Sequence, residues 1–549
     1  MERTGILAGA VADGAAALEA GVTRIAAVLL DGGLLEGERA LQQVAREVMS
    51  ALESRVLAGR AGGPQGEAGP CLQCGGRLHL VGRERERTVL GLVGEYRFAR
   101  STFYCARCHA CHSPLDAVLG LGEGQLSPGL AQVVCAEAQK DSFGGARKSV
   151  ESSLSVVVAE ETVRRTAEGL GRLIEQDQAD RQQWQVPDDG VPARVLVEVD
   201  GVSTPLRDGY HEAKVGRVGV LGPKVQEDPE TGRLIFELSD STFCVGLEAC
   251  DPFFERFARE AWRAGCTRGV PQIICLSDGA RWIWARMQAQ FGLPGVEVVE
   301  IVDFRHASEH LADVARAVFG QGTLQATTWW AAHRHTLLHQ GAAPILTDLA
   351  ALLTRPDLDE AARDEVRRNY EEYFRDNQAR MDYPRFVARQ FPIGSGAVES
   401  ACKTLITQRH KGAGMRWSAP GAQEIANLRA LYRSAHQRWD AFWASCPLAR
   451  LRVLGPRPAV VPAAAASPGQ PEAASAAQPC RTPVPTVAAP VPPALDASDS
   501  APVPVDRRST TAAAPPRPTP ARTCAIAGKP WAKGRDYWRR QPACRTRSA

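Results

Sequence analysis

Hydrophobic and polar positions between residues 191 and 303 predict strands interleaved with helices. Short β-branched runs are typical of strands, and longer segments with apolar residues at helical spacing are typical of helices. The predicted strands are 194–199, 232–239, 271–276 and 297–302, with a hairpin-like stretch at 203–221, and the predicted helices are 251–264 and 280–291. This order favours a mixed α/β sheet with helices packed against it.

Helical periodicity dominates most of the remaining chain. We predict a helical N-terminal segment at residues 1–62, further helices within 119–190, and an all-α block at about 304–390. Because this block interrupts the α/β region 191–450, we expect it to be an insertion within that domain. A hairpin followed by alternating strands and helices is typical of a ribonuclease H-like core, and we expect that fold here.

Residues 451–549 have a different composition. Ala and Pro dominate this segment, so it cannot bury enough apolar surface to fold and is expected to be a disordered tail. From Gly455 onward, 13 basic and 5 acidic side chains give a net charge of +8, against −5 for residues 1–454. The basic tail either touches nucleic acid or is a solvated extension.

Length and composition narrow the class of protein. A chain of 549 residues, 44% of them hydrophobic, suffices for two or three domains and a tail. We find neither an apolar run long enough to span a bilayer nor a secretion signal, so we expect a cytoplasmic protein with no membrane partner. Four of the 15 cysteines have paired CxxC spacing, which in a cytoplasmic protein favours metal binding over disulfides.

These paired cysteines predict a zinc ribbon at residues 63–118. Each pair can supply two thiolates from one knuckle while the spacer forms a hairpin, which is the arrangement of a structural Zn²⁺ site. The four predicted ligands are Cys71, Cys74, Cys105 and Cys108. The run CARCHACH also offers Cys111 and either His109 or His112 as alternative ligands.

Three acidic residues stand at the ends of predicted elements. Asp200 follows the apolar run 195–199, Asp278 follows the run 273–276, and Glu399 lies near the start of a predicted helix. Carboxylates delivered by two strands and a helix could hold Mg²⁺ or Mn²⁺, which predicts a metal-dependent nuclease. The alternative is three unrelated turn or capping acids, since Asp-Gly is common in turns.

A further group, Asp303-x-x-His306, follows the last predicted strand. Either both side chains project toward the acidic site and assist metal or phosphate positioning, or Asp303 caps a helix while His306 is hydrogen-bonded in the core. The run His306-x-x-Glu309-His310 also matches the HxxEH motif of zinc metallopeptidases. That remote alternative lacks a downstream third ligand that we can nominate.

Two basic groups are candidate DNA contacts. The first follows Glu399 and comprises Lys403, Arg409, Lys411, Arg416 and Trp417. It suits phosphate contact beside the proposed metal site, the alternative being a solvated basic helix face. The second is Arg164 and Arg165, near the start of a helical segment with Val163, Leu170 and Ile174 on its apolar face. This segment belongs either to a helix-turn-helix or to an ordinary helical bundle.

Together these motifs resemble the ISKra family of bacterial insertion-sequence transposases, within the Mutator-like DDE group. The resemblance covers roughly residues 65–445 and is carried by VEVDGVSTPLRDGYHEAKVGRVG, LSDGARWIW, IVDFRHASEHLADVARAVFG and GSGAVESACKTLITQRHKGAGMRWS. The chain departs from the family at His109, where the family usually has glycine. The catalytic residues implied by the resemblance are Asp200, Asp278 and Glu399, with the D-x-x-H signature at Asp303 and His306.

The resemblance implies an enzyme that binds the terminal inverted repeats of an insertion sequence, hydrolyses the phosphodiester at the element ends and transfers the 3′-OH ends to target DNA by two-metal-ion catalysis. Its expected partners are double-stranded DNA and further copies of itself in a synaptic complex, and it would act at the nucleoid. The alternatives are a DNA endonuclease without strand transfer and a zinc-ribbon DNA-binding regulator without catalysis.

Overall fold

The computed structural model describes residues 3–61, 70–71, 73–179, 192–227, 234–266, 269–435 and 437–454. These residues belong to one compact unit, Met1–Ala459. The predicted tail at 451–549 lies outside the described residues apart from 451–454, so its expected disorder stays a prediction.

Two long helices open the chain, as the periodicity predicts. Helix α1 spans Arg3–Asp31, and helix α2, Leu34–Ala61, runs back along it. The two backbones approach closely at glycines, since a Cβ built at Gly21 would lie 2.1 Å from the Val44 side chain. By length and composition alone, Thr4–Asp31 could cross a membrane, a test that core helices and signal sequences also pass. The expected absence of a membrane partner therefore stays a prediction.

A small antiparallel sheet follows, with strand order β1-β2-β3. Its strands are β1, Leu78–Gly91, β2, Gly94–Cys105, and β3, Cys111–His112, and the short helix α3, Pro114–Val118, comes next. The buried carboxylate of Asp116 accepts a hydrogen bond from Arg87 and another from Arg100, each at 2.8 Å. These ion pairs attach the β1–β2 hairpin to α3.

Three helices lead to the central sheet: α4, Pro128–Ala138, α5, Phe143–Leu154, and α6, Glu160–Ala179. Ser127 and Ser142 cap α4 and α5 by accepting backbone N–H groups in the first turn. The predicted apolar face of α6 is confirmed, because Val163, Leu170 and Ile174 are all buried.

The central sheet is mixed and has the order β6-β5-β4-β7-β8. The first three strands in this order are antiparallel, and β4, β7 and β8 are parallel. In chain order the elements are β4, Arg194–Leu206, β5, Gly209–Glu227, β6, Leu234–Gly246, α7, Cys250–Arg263, β7, Gln272–Ser277, α8, Arg281–Phe291, and β8, Glu297–Val302. The predicted order of strands and helices is confirmed.

A helical block packs beside β8, as predicted. Its helices are α9, Phe304–Phe319, α10, Leu324–Gln340, α11, Ala342–Leu353, α12, Glu360–Arg368, and α13, Tyr383–Ala388, with a π-helical segment at Asn369–Phe374 and a 3₁₀ turn at Gln378–Met381. The hydroxyl of Tyr383 donates to the Val302 carbonyl of β8 at 3.0 Å. The block and the sheet share one hydrophobic core.

The C-terminal helices complete a second core. They are α14, Gly396–Cys402, the π-helical segment Lys403–Thr407, α15, Gln408–His410, α16, Ala419–Arg433, α17, Arg438–Ala444, and α18, Pro447–Leu454. Helix α16 packs against α6 and β6. One cluster of buried side chains includes residues of α4, α6 and α16, so it spans the domain boundary that we predict near residue 190.

Candidate functional site

Three acidic residues lie side by side at one edge of the parallel strands. Val199 of β4 pairs with Ser277 of β7, which pairs with Val302 of β8. The residue after each of them is an aspartate: Asp200, Asp278 and Asp303. Strands β7 and β8 end at this level, whereas β4 continues into the hairpin. The register therefore brings together acids that are far apart in sequence.

Asp200 is partly buried. Its Oδ1 accepts the Gly201 N–H at 2.7 Å, and the Cys402 thiol donates to its Oδ2 at 3.4 Å. Burial raises the pKa of Asp200, and the negative charge of Glu399 raises it further. A cation at this position would stabilise the ionised carboxylate.

Asp278 is partly buried directly after β7. Its Oδ1 accepts the Ala280 N–H at 3.0 Å. Burial raises the pKa of Asp278, and the charge of Asp200 adds to the increase. The two carboxylates are close enough to repel each other, which is how ligands of one cation are expected to behave in its absence.

Glu399 occupies the first turn of α14, as predicted. Buried residues of α14, including Val398 and Ala401, pack against Val215 of β5. The Glu399 carboxylate accepts from Nη1 of Arg305, which is 3.1 Å from Oε2. Among the described residues, the triad of Asp200, Asp278 and Glu399 does not form a group whose ligand atoms all lie within 4.8 Å of one another.

Asp303 is buried, and backbone N–H groups engage its carboxylate. Oδ1 accepts from the His306 N–H at 2.9 Å as the cap of α9, and Oδ2 accepts the Ser395 N–H. These contacts are those of a capping residue that also anchors the segment before α14, which matches the capping alternative, and a catalytic role of Asp303 stays a prediction. His306 is partly exposed and, when protonated, would lower the pKa of Asp200 and of Asp278.

The geometry does not favour the zinc-peptidase alternative. The His310 ring stacks on Tyr373 with centroids 3.5 Å apart, and its Nδ1 lies 2.7 Å from Oδ1 of Asn369. The His306 Nδ1 lies 3.7 Å from the Glu309 carboxylate. The two histidines thus have separate partners, and neither belongs to a metal-binding group among the described residues.

Four thiols form a second candidate centre, and this one could hold a metal such as zinc. The Sγ atoms of Cys71, Cys74, Cys105 and Cys108 all lie within 4.8 Å of one another. Backbone bonds form both knuckles, with Gly75 N–H donating to the Cys71 carbonyl and His109 N–H to the Cys105 carbonyl, each at 2.8 Å. The N–H of Cys108 lowers the pKa of the Cys105 thiol, which favours the thiolate at this position.

The three alternative zinc ligands, His109, Cys111 and His112, have different surroundings in the structure. His112 lies against the cluster, with Nε2 3.1 Å from the Cys71 Sγ. Cys111 is exposed, and the His109 ring lies against Tyr104, with Nδ1 2.5 Å from its hydroxyl. The backbone of His109 has φ of +59°. This left-handed conformation is one that glycine adopts freely, which explains why glycine suits the position.

The five predicted DNA contacts after Glu399 fall into an exposed group and a buried group. Lys403, Lys411 and Arg416 are exposed, so their predicted DNA contact stays a prediction. The same prediction is corrected for Arg409 and Trp417, which are 2% and 9% exposed. Their side chains belong to the core and present no surface to a phosphate.

Arg164 and Arg165 lie on the accessible side of α6 in ion pairs with glutamates of the same helix. Arg164 contacts Glu161 at 2.6 Å and Glu168 at 2.5 Å, and Arg165 contacts Glu161 at 2.8 Å. These contacts match the solvated face of a helical bundle. Binding to a phosphate would have to replace them.

Sequence reasoning missed a buried ion pair beneath the acidic site. Glu198, two residues before Asp200, contacts Nη1 of Arg217 on β5 at 2.6 Å, and both side chains are buried. Burial raises the pKa of Glu198 to about 7 despite the arginine. A glutamate inside the apolar run of β4 was the available signal. Arg305 and Cys402, which contact Glu399 and Asp200, carried no comparable signal.

Comparison with known proteins adds little to this geometry. No protein-family model and no curated protein sequence matches the chain. Among solved structures, the chain is similar to the Drosophila P element transposase strand transfer complex, with 8% identity and a TM-score of 0.28, over 56% of this chain and 92% of that chain. A similarity this low carries no argument about fold or function.

Proposed function

We propose that this protein is a metal-dependent DNA-cleaving and DNA-joining enzyme, a DDE transposase similar to the ISKra family. One observation carries the proposal. Asp200 and Asp278 follow paired residues on adjacent parallel strands, and the charge of Asp200 raises the pKa of Asp278. Glu399 stands on a helix packed against the same sheet. Three antiparallel strands continued by two parallel ones also suit a ribonuclease H-like core.

The donor atoms fit a hard divalent cation. Carboxylate oxygens are the ligands that Mg²⁺ and Mn²⁺ prefer, and Asp200, Asp278 and Glu399 would hold them. Glu399 would join the two aspartates by exchanging its ion pair with Arg305 for the cation. Bound ions would lower the pKa of the attacking water or 3′-OH and stabilise the leaving oxygen.

The residues around the triad have supporting roles in this proposal. Asp303 positions the site by tying the start of α9 to the segment before α14. His306 lies close enough to both aspartates for its charge, when it is protonated, to lower their pKa. Exposed Lys403, which directly follows α14, and exposed Lys411, which directly follows α15, offer charges for DNA phosphates. The Cys₄ unit would act as a structural zinc ribbon that helps to bind the element ends.

The test is a cleavage and strand-transfer assay with Mg²⁺ or Mn²⁺ on linear DNA carrying the terminal inverted repeats of the element. Asp200→Asn, Asp278→Asn and Glu399→Gln should each lower the rate of cleavage by at least about 10³-fold, because each removes charge that stabilises the transition state. Binding to the DNA ends should persist, since phosphate contacts lie outside the triad. Asp208→Asn, in the exposed β4–β5 turn, is the matched control and should retain activity.

Other outcomes point to the alternatives. Cleavage that survives in a triad variant removes that residue from the site. Cleavage without joining indicates an endonuclease, and binding of ends by an inactive wild-type protein indicates a regulator.

A further inference from the structure

The helix α1 carries an apolar stripe that no described part of the chain covers. Its members are between 49% and 67% exposed: Leu7, Val11, Leu18, Val22 and Leu29. At 3.6 residues per turn they fall within an arc of about 60° on one side of the helix. Single exposed apolar residues are common, but an aligned set of this length is a mark of a binding surface.

Helix α2 adds a second stripe on the same side of the hairpin. The members of this stripe are the exposed residues Leu34, Leu41, Met49 and Val56, and the exposed Leu35 lies off it. The two helices touch along a line that passes through Gly21 and Val44. On each helix, the stripe is reached from this line by turning in the same direction around the helix axis. Because the helices are antiparallel, the same sense places both stripes on one side. The ion pair between Arg24 and Glu47 lies on the other side.

This apolar face leads into a cavity. An apolar cavity of about 340 Å³ separates α2 from the β1–β2 hairpin. It is lined by Leu52 and Val56 of α2 and by Val89, Tyr96 and Phe98 of the hairpin. A Cβ at Gly9 would lie 2.8 Å from the Arg55 guanidinium, so Leu7 and Val11 lie level with the cavity. An apolar side chain laid on the face at this level could enter it.

We propose that this face binds a second copy of the chain, so that two helical hairpins form a four-helix bundle. A hairpin with one apolar side is half of such a bundle. Each face is about 42 Å long and about 20 Å wide, on the order of the 800 Å² per subunit that a stable interface buries. The inference does not depend on the proposed catalytic activity.

Charges at the edges of the face fit the same arrangement. Glu19 flanks the stripe on α1, and Arg46 flanks the stripe on α2 at the same level, since Gly21 faces Val44. In a two-fold dimer that lays α1 against α2 of the second copy, each Glu19 meets the second copy's Arg46. Opposite charges then occur at both edges of the interface.

The experiment measures the monomer–dimer equilibrium of the full-length chain by analytical ultracentrifugation. We expect the wild type to dimerise, and Leu18→Glu with Val22→Glu to raise the dimer Kd by at least about 100-fold, because unpaired charges would be buried in the interface. Ala20→Glu with Ala27→Glu, on exposed positions of α1 away from the stripe, is the matched control and should leave the Kd nearly unchanged. Circular dichroism checks that all variants keep their helices.

A charge exchange tests the arrangement of the helices. Glu19→Arg and Arg46→Glu should each weaken the dimer, and the two together should restore it. A monomeric wild type, or a dimer that tolerates the glutamates on the stripe, would overturn the proposal. Stripe-dependent flotation of a monomer with phosphatidylglycerol vesicles would overturn it in favour of a membrane surface. Failure of the charge exchange would overturn the pairing of α1 with α2.

Discussion

Arg409 lies between two aromatic rings, in a run whose composition predicts contact with DNA. Its guanidinium carbon is 5.1 Å from the ring centroid of Phe143 and 4.8 Å from that of Trp417. Its Nε donates to the Ala138 carbonyl at 3.0 Å. Burial lowers the pKa of Arg409 to about 10, so the side chain stays charged at neutral pH. It therefore joins α15 to the end of α4 instead of reaching toward solvent.

Arg409 and Lys411 should consequently respond in opposite ways to substitution by alanine. Arg409→Ala leaves a cavity between the rings and should lower the free energy of unfolding by about 3 kcal/mol. Lys411→Ala should change stability by less than about 0.5 kcal/mol and lower the salt dependence of DNA binding by about one phosphate contact. Urea unfolding and fluorescence anisotropy measure the two quantities. A stable Arg409→Ala variant with a reduced salt slope would contradict this division.

At the scale of elements, α6 and α16 cross with almost no space between their backbones. A Cβ at Gly171 of α6 would lie 2.0 Å from the Glu424 carbonyl oxygen of α16. Two residues earlier, a Cβ at Gly169 would meet only the Leu451 side chain, at 3.0 Å. A backbone cannot yield as a flexible side chain can, so these two glycines have different roles in the same helix.

Gly171→Ala should therefore lower the free energy of unfolding by at least about 2 kcal/mol, because the two helices must separate. Gly169→Ala is the matched control and should stay within about 1 kcal/mol of wild type, since alanine favours the helix and Leu451 can rotate. Chemical denaturation of both variants measures the difference. Equal stability of the two would show that the helices are not in close contact at Gly171.

At the scale of the whole molecule, His410 lies in the core shared by the N-terminal and C-terminal helices. It is fully buried, its Nε2 is 3.0 Å from the Ala422 carbonyl, and its ring lies 5.0 Å from that of Trp417. Burial lowers the pKa of His410 to about 4, and the charges of Arg409 and Arg429 contribute. The folded protein thus holds this histidine neutral.

The depressed pKa of His410 predicts a loss of stability in acid. An unfolded histidine titrates near 6.5, so the contribution is fully present above about pH 6.5 and is lost as pH falls toward 4, in total on the order of 3 kcal/mol. His410→Gln should flatten the pH dependence across this window. Urea unfolding at pH 7 and pH 5 measures the effect, and parallel pH profiles for wild type and variant would exclude His410 as its source.

Local patterns in the sequence determined the elements and one of the two candidate centres. Strands β4, β7 and β8 and the helices between them were predictable because apolar periodicity depends on neighbouring residues. The Cys₄ group was predictable because each CxxC pair forms its own knuckle, so only one hairpin had to be inferred. Asp200 and Asp278 could be nominated because a carboxylate stands out at the end of an apolar run, and Glu399 because it lies near the start of a predicted helix.

Only the tertiary structure decided which of these residues meet and which are covered. Asp200 and Asp278 became neighbours through the strand register. Asp303 also anchors the segment before α14, because the Ser395 N–H approaches its carboxylate from that segment. The sequence predicted Arg409 and Trp417 as DNA contacts because one is basic and the other aromatic. In the structure both are buried where α4, α5 and α16 pack together. Periodicity encodes what each segment can bury, whereas register and burial depend on long-range contacts that no local pattern contains.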